Sequence, residues 1–264
     1  MDLGLNGKVA IVAASSKGLG RAVATTFARE GALVTINGRD EATLAATAKA
    51  IRSETDGDIL GIAGDMSNPA DIERLVSETV TKRGGLDILI CNAGGPPGGD
   101  FFAFPTDEPW LNAVNLNLMS TLRLSRAAIP HIEARGGGSI TNIVGTSVKQ
   151  PLPNLILSNT VRTSVVGLAK SLSNELASRN IRVNNVCPGS ILTDRLRSLA
   201  AKRAEGTGTS VDEVLTEDAR AIPMGRIGDP QEFANAVVFL ASPAASYVTG
   251  VTLQVDGGVV KGLV

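Results

Sequence analysis

The chain has 264 residues, 43% hydrophobic and 19% charged, which suits one large α/β domain and excludes general disorder. Its 25 Lys and Arg against 26 Asp and Glu give a net charge of -1, and aromatic residues make up 3%, so no nucleic-acid partner, anionic membrane or base-stacking platform is expected. Two cysteines and one histidine, His131, leave no disulfide framework and no metal site built from Cys or several His.

Met1-Asp2-Leu3-Gly4 lacks the charged start and long apolar stretch of a signal peptide, and no apolar run approaches the ~20 residues of a membrane span, so a cytoplasmic location is expected. Lys8 to Ala13 reads as a strand buried on both faces and ends in a small-residue turn. Leu19 to Glu30 carries Leu19, Val23 and Phe27 at helical spacing, and Gly31 ends it. Leu33 to Ile36 is strand-like and Glu41 to Arg52 an Ala-rich helix. Ile59 to Ala63 is the next strand, and Pro69 opens a helix that runs to about Lys82. Asp87 to Cys91 is a fourth strand.

The second half keeps the rhythm. Glu108 to about Glu133 reads as one long helix, with Pro109 and Trp110 in its first turn, and Phe101, Phe102 and Phe104 before it read as core. Ser139 to Val144 is a strand, and about Leu157 to Ser178 is a helix. Ile181 to Cys187 is a strand stopped by Pro188-Gly189. Cys91 and Cys187 each end an apolar run and read as small buried hydrophobes. Residues 190–220 are the least regular, with a Gly/Thr/Ser stretch from Gly206 to Ser210, and read as a flexible insertion over a site. Pro230 to Leu240 is a helix and Val251 to Val255 a last strand. The alternation predicts a single domain, 1–264, built on a doubly wound parallel sheet of about seven strands with helices on both faces and ligand loops at the strands' carboxyl ends.

The turn after the first strand reads Ala13-Ala14-Ser15-Ser16-Lys17-Gly18-Leu19-Gly20. Gly18 and Gly20 bracket a helix start, where close backbone approach and free N–H groups suit a dinucleotide's pyrophosphate. The second strand ends Asn37-Gly38-Arg39-Asp40. Arg39, with Lys17 in the glycine turn, suits the 2′-phosphate of NADP(H), which is expected over NAD(H); Asp40 pulls the other way.

Taken together, these features resemble the short-chain dehydrogenase/reductase family over nearly the whole chain, with the nearest look to 3-oxoacyl-carrier-protein reductase-like members. The family's glycine turn has a Thr-Gly pair where Ala13-Ala14 stands here, while Gly18 and Gly20 remain. Asp65, followed by Met66, matches the aspartate beside the adenine ring. Asn92-Ala93-Gly94 matches a four-residue motif whose first Asn is Cys91 here. Pro188-Gly189-Ser190-Ile191-Leu192-Thr193 matches the segment that holds the nicotinamide carboxamide, and Asp256-Gly257-Gly258 matches a C-terminal signature. The resemblance implies a nicotinamide cofactor and a small carbonyl or alcohol substrate. It also implies a homotetramer formed through the two long central helices.

The same resemblance implies a catalytic Asn, Ser, Tyr and Lys, and here the chain departs. Asn117 fits the helix asparagine, but the Tyr and Lys positions fall on Ser158 and Arg162, and the one tyrosine is Tyr247. The serine position falls on Gly145, and a one- or two-residue loop shift lets either Thr146, by a narrow margin the preferred one, or Ser147 take its role. A tyrosine's pKa of about 10 can be drawn towards neutrality, whereas an aliphatic hydroxyl lies near water's ~15.7 and an arginine above ~12. Three readings follow. The chain is an NADP-dependent oxidoreductase whose proton comes from water, Lys149 or the hydroxyls of Thr146, Ser147 and Ser158; or it performs non-redox chemistry on a bound nucleotide; or it is a silent binding protein.

Overall fold

Short apolar runs ended by Gly, Pro or Asn punctuate the chain into strands, and the computed structural model, which describes residues 1–263, places seven of them in one parallel sheet. The strands are β1 (Val9–Val12), β2 (Leu33–Gly38), β3 (Ile59–Ala63), β4 (Ile88–Cys91), β5 (Gly138–Ile143), β6 (Ile181–Pro188) and β7 (Thr252–Val255), in the order β3-β2-β1-β4-β5-β6-β7. The order reverses between β1 and β4, where Ala10 pairs with Ile88 and Val12 with Ile90. That reversal opens a crevice at the carboxyl ends of the two strands.

Successive residues of β1 face opposite layers. Ala10 and Val12 join Phe27 of helix α1 (Gly18–Arg29) and Phe233 of α9 (Pro230–Ala241) on one face. Val9 and Ile11 join Leu75 of α3 (Pro69–Arg83), Leu124 of α5 (Ser120–Ala134) and Ala169 of α6 (Ile156–Leu176) on the other. Phe27 and Phe233 are fully buried, and each contributes about 1.5–3 kcal/mol by leaving water. Helix α2 (Glu41–Thr55) is capped by Asp40, whose carboxylate accepts from the Thr43 N–H at 2.8 Å; α3 is capped by Asn68 ahead of Pro69.

Three expectations need correction. The segment from 190 to 220 is not irregular: it holds helices α7 (Asp194–Thr207) and α8 (Val211–Arg220). Thr193 caps α7, Gly208 in the left-handed region ends it, and a reciprocal Ser210–Glu213 capping box starts α8. Arg203 ties the two together through both oxygens of Asp218, at 2.8 and 2.9 Å, so the Gly/Thr/Ser stretch is the joint of a helical hairpin. The long central helix is not uniform: α4 (Asp107–Ala113) passes through a π-helical turn, Val114–Met119, before α5. Finally, Phe101 and Phe102 are 63% and 85% exposed rather than core, because a short 3-10 turn capped by Asp100 holds them outside. Phe104 and Trp110 pack against Ala113, Leu157 and Val161.

Candidate active site

The glycine turn is built by strand-to-strand bonds. Ser15 accepts the Asn37 N–H at 3.0 Å and donates to the Val12 carbonyl, while the Ala14 carbonyl accepts from Asn92 Nδ2 at 3.1 Å. Gly18 adopts φ +60, and a Cβ at Gly20 would lie 2.6 Å from the Ala14 carbonyl oxygen. Ala14 itself has φ +45, in the left-handed region that glycine occupies more readily. Helix α1 opens on Lys17 without a side-chain cap, unlike α2, α3, α7, α8 and α9. Its first N–H groups, with the positive end of the helix dipole, therefore remain available to an anion.

In front of this turn lies a cleft of about 370 Å³, walled by Lys17, Gly18, Leu19, Gly20, Asn92, Ala93, Gly94, Pro188, Thr193 and Arg162 among others. Beside it is a second cavity of about 380 Å³, to which Thr146, Ser147, Ser158, Gly189 and Ile191 contribute. Leu19, Val144, Arg162 and Arg195 are among the residues that wall both, so they meet without an intervening layer. Most of the remaining wall of the second cavity is apolar, with Leu152, Leu155, Leu196, Leu199 and Val259 beside Ser190 and Thr193.

Arg162 is the pivot. Its Nη1 donates to the Val144 carbonyl at 2.8 Å and the Ile143 carbonyl at 3.4 Å, and its Nη2 to the Gly94 carbonyl at 3.5 Å. Burial, helped by the neighbouring Arg195 charge, pulls its pKa down to about 10, so it stays a cation at neutral pH. The Gly94 carbonyl also accepts from Asn117 Nδ2 at 2.9 Å, and the Asn117 Oδ1 is buried without a protein partner. Asn117 reaches this carbonyl from the π-helical turn, whose own carbonyl groups are shared with Ser120 and Thr121. Ser158, one helical turn before Arg162 on α6, stands with its Oγ 3.3 Å from Ser147 Oγ. Thr146 is buried in the same 3-10 turn, and its hydroxyl makes no protein hydrogen bond among the described residues.

The remaining sequence candidates lie towards the open end. Ser16 packs under Gly38, where any side chain would meet it at 2.8 Å. Arg39 is exposed just beyond β2. Asp40 is engaged at Thr43 by both the N–H and the hydroxyl, which holds its carboxyl below the ordinary range. Asp65 follows β3 and accepts from the Ser67 N–H and hydroxyl, both at 2.8 Å, and Met66 is buried beside it. Lys149 lies in neither wall, and Tyr247 is fully exposed on the turn before β7. Arg195 was not singled out by the sequence; a cation two residues after Thr193 was the available signal. No helix among the described residues is long and apolar enough to cross a membrane.

A family model described as Enoyl-(Acyl carrier protein) reductase matches residues 13–260. Dehydrogenase/reductase SDR family member 4 of Sus scrofa is 36% identical over 254 residues, 96% of this chain and 88% of that protein. The 3-oxoacyl-[acyl-carrier-protein] reductase of Vibrio cholerae is 36% identical, covering 97% of this chain and 98% of its own. Among solved structures, L-sorbose reductase from Gluconobacter frateurii, complexed with NADPH and L-sorbose, superposes with a TM-score of 0.96 at 34% identity over 100% of both chains. An actinorhodin polyketide ketoreductase with NADPH gives 0.90 at 33% identity, over 97% and 98%.

Proposed function

The chain belongs to the short-chain dehydrogenase/reductase family, and from that membership we propose that it is an NADPH-dependent oxidoreductase of a carbonyl/alcohol pair whose proton travels through serine hydroxyls. The observation that carries this reading is the junction of the two spaces. The cleft at the uncapped start of α1 runs into an apolar cavity holding two facing hydroxyls, with Arg162 in the wall of both.

The residues of the cleft fit the nucleotide. The Gly18-to-Gly20 turn takes the pyrophosphate, and Lys17 and Arg39 favour a 2′-phosphate, with Asp40 already engaged as a helix cap. Asp65 and Met66 flank the adenine end, and Asn92 to Gly94 with Pro188, Gly189, Ile191 and Thr193 flank the nicotinamide end. NADPH, when bound, supplies the hydride to the carbonyl carbon.

Ser158 donates its proton to the carbonyl oxygen while Ser147, 3.3 Å away, replaces it from solvent. An aliphatic hydroxyl, near ~15.7, holds no stable negative charge at neutral pH, so the two transfers are concerted. Arg162 places a fixed positive charge in the cavity wall. Ser147 rather than Thr146 is favoured as the partner because its hydroxyl is the one at Ser158. The helical hairpin of α7 and α8 shapes the substrate side through Leu196 and Leu199. A homo-oligomer through the α4–α5 and α6 faces and a cytoplasmic location accompany this reading.

Fluorescence titration with NADPH and NADH, followed by absorbance at 340 nm with ketones, 3-oxo thioesters, sugars and steroids, tests it. NADPH binds more tightly, and one class oxidises it; equal NADH affinity removes the cofactor preference. A second reading, nucleotide binding without hydride transfer, is favoured by the absence of a tyrosine from both walls and of a lysine from the wall of the second cavity. Tight NADPH binding with no oxidation by any class selects it.

A further inference from the structure

We propose that Arg195 and Arg162 together bind a carboxylate of the substrate, so that the compound handled here is an aliphatic oxo acid rather than a neutral ketone; this rests on reading the second cavity as the carbonyl site. Both guanidinium groups stand in the wall of that cavity, and no Asp or Glu does. Neither takes part in an ion pair among the described residues. Arg162 is held by three backbone carbonyls, which orient its charge without neutralising it. Arg195 reaches across from the first turn of α7 and lies against Gly95, where a Cβ would meet both Nη1 and Nη2 at 2.7 Å. The lack of a side chain at 95 is what leaves room for it.

Two like charges are thus held close enough for Arg195 to depress the Arg162 pKa. A half-buried guanidinium beside an exposed one, both in the wall of one cavity, is relieved by an anion that accepts from both, and planar guanidinium forks match a carboxylate's two oxygens. The other walls state the rest of the ligand. Leu152, Leu155, Leu199 and Val259 suit an aliphatic body, and the Ser147–Ser158 pair suits a carbonyl oxygen. The competing assignment is a cofactor phosphate, since Arg195 also borders the nucleotide cleft. The phosphates, however, already have the N–H groups of α1 and the Lys17 ammonium.

Calorimetry on the intact protein saturated with NADP+ separates these cases, because an oxo acid does not react in that complex. The probes are 4-methyl-2-oxopentanoate, its methyl ester, and butylphosphonate. The acid should bind about tenfold or more tightly than the ester, with an affinity that falls as salt rises. Arg195→Gln should erase that preference, Arg195→Lys should restore part of it, and NADPH affinity should move far less than acid affinity. Arg195 is solvent-exposed, so these variants fold. Equal binding of acid and ester, no acid binding at all, or tighter binding of the phosphonate overturns the proposal. So does a loss of NADPH affinity in Arg195→Gln as large as the loss of acid affinity. Acid binding that depends on Arg195, with no oxidation of NADPH, leaves the proposal standing and removes the oxidoreductase reading instead.

Discussion

Gly20→Ala isolates the part of the site that depends on backbone approach. A Cβ there would stand 2.6 Å from the Ala14 carbonyl oxygen, 2.8 Å from Ser15 Cα and 3.0 Å from Asn92 Nδ2. Ordinary contacts of this kind lie near 3.4 Å or beyond, so the start of α1 and the turn must separate by several tenths of an ångström. Two of the three crowding atoms are backbone and cannot swing away. The destabilisation should therefore sit at the upper end of overpacking, about 3 kcal/mol. For a chain of this size that lowers Tm by roughly 6–12 °C. The same shift moves the free N–H groups of α1 away from a phosphate. Each charge-assisted bond lost is about 1.5–3 kcal/mol, so NADPH affinity should fall by roughly 10- to 100-fold. Gly18→Ala is the control for stability. Its Cβ meets nothing closer than 3.8 Å, and only its φ of +60 opposes a side chain, a strain of about 1–2 kcal/mol. Differential scanning fluorimetry orders the two melts, and NADPH fluorescence measures the binding. A Gly20→Ala protein that melts with wild type and binds NADPH within twofold would falsify the reasoning.

Three further outcomes are expected. Ala14→Gly, at φ +45, should relieve about 1–2 kcal/mol of strain against about 0.4–1 kcal/mol of added unfolded-state freedom, raising Tm by a few degrees; an unchanged or lower Tm contradicts that. Burial pushes the Cys91 and Cys187 thiols up to about 12 and about 11, so neither should react with a disulfide reagent at pH 8 in the native protein and both should in guanidinium; a fast native thiol would show that β4 or β6 opens. The Arg226 guanidinium, with the Asp229 N–H, holds the Glu232 carboxyl down to about 2 from 4.5. Its contribution is complete above about pH 4.5 and disappears as pH falls through about 2. Arg226→Ala should move that titration upward in a carboxyl carbon NMR series.

The strands and their order of appearance were legible because a parallel sheet buried on both faces demands continuous apolar runs, such as Val9 to Val12 and Ile88 to Cys91. The glycine turn was legible for a similar reason: Gly18 and Gly20 answer to backbone geometry within the same few residues. What was hidden depends either on competition between two local signals or on contacts across the chain. Ser210 and Glu213 form a capping box that the sequence does contain, but Gly206 and Gly208 beside it spoke for a loop. Asp40 sits where an acidic residue can hold a ribose hydroxyl, yet it also precedes a helix, and the cap at Thr43 prevails. Arg195 and Gly95 are a hundred positions apart, so no spacing rule joins them.

The π-helical turn shows why the site could be named by residue but not drawn from sequence. An extra residue in a helical turn leaves the apolar pattern of Glu108 to Glu133 intact to the eye while rotating everything after it. Here the rotation lets Asn117 donate to the Gly94 carbonyl while Asn115 donates to the Ser67 carbonyl at 3.1 Å. Arg162 approaches the same Gly94 carbonyl from α6, so two crossover segments converge on one acceptor. A regular α-helix through 114–119 would turn Asn117 away from that carbonyl, leaving Arg162 alone to fix the loop after β4. The junction between the two cavities is therefore set by a helix defect held by two asparagines. It follows that the placement of the Arg162 charge is a property of the packed helices, and only its identity is a property of the motif.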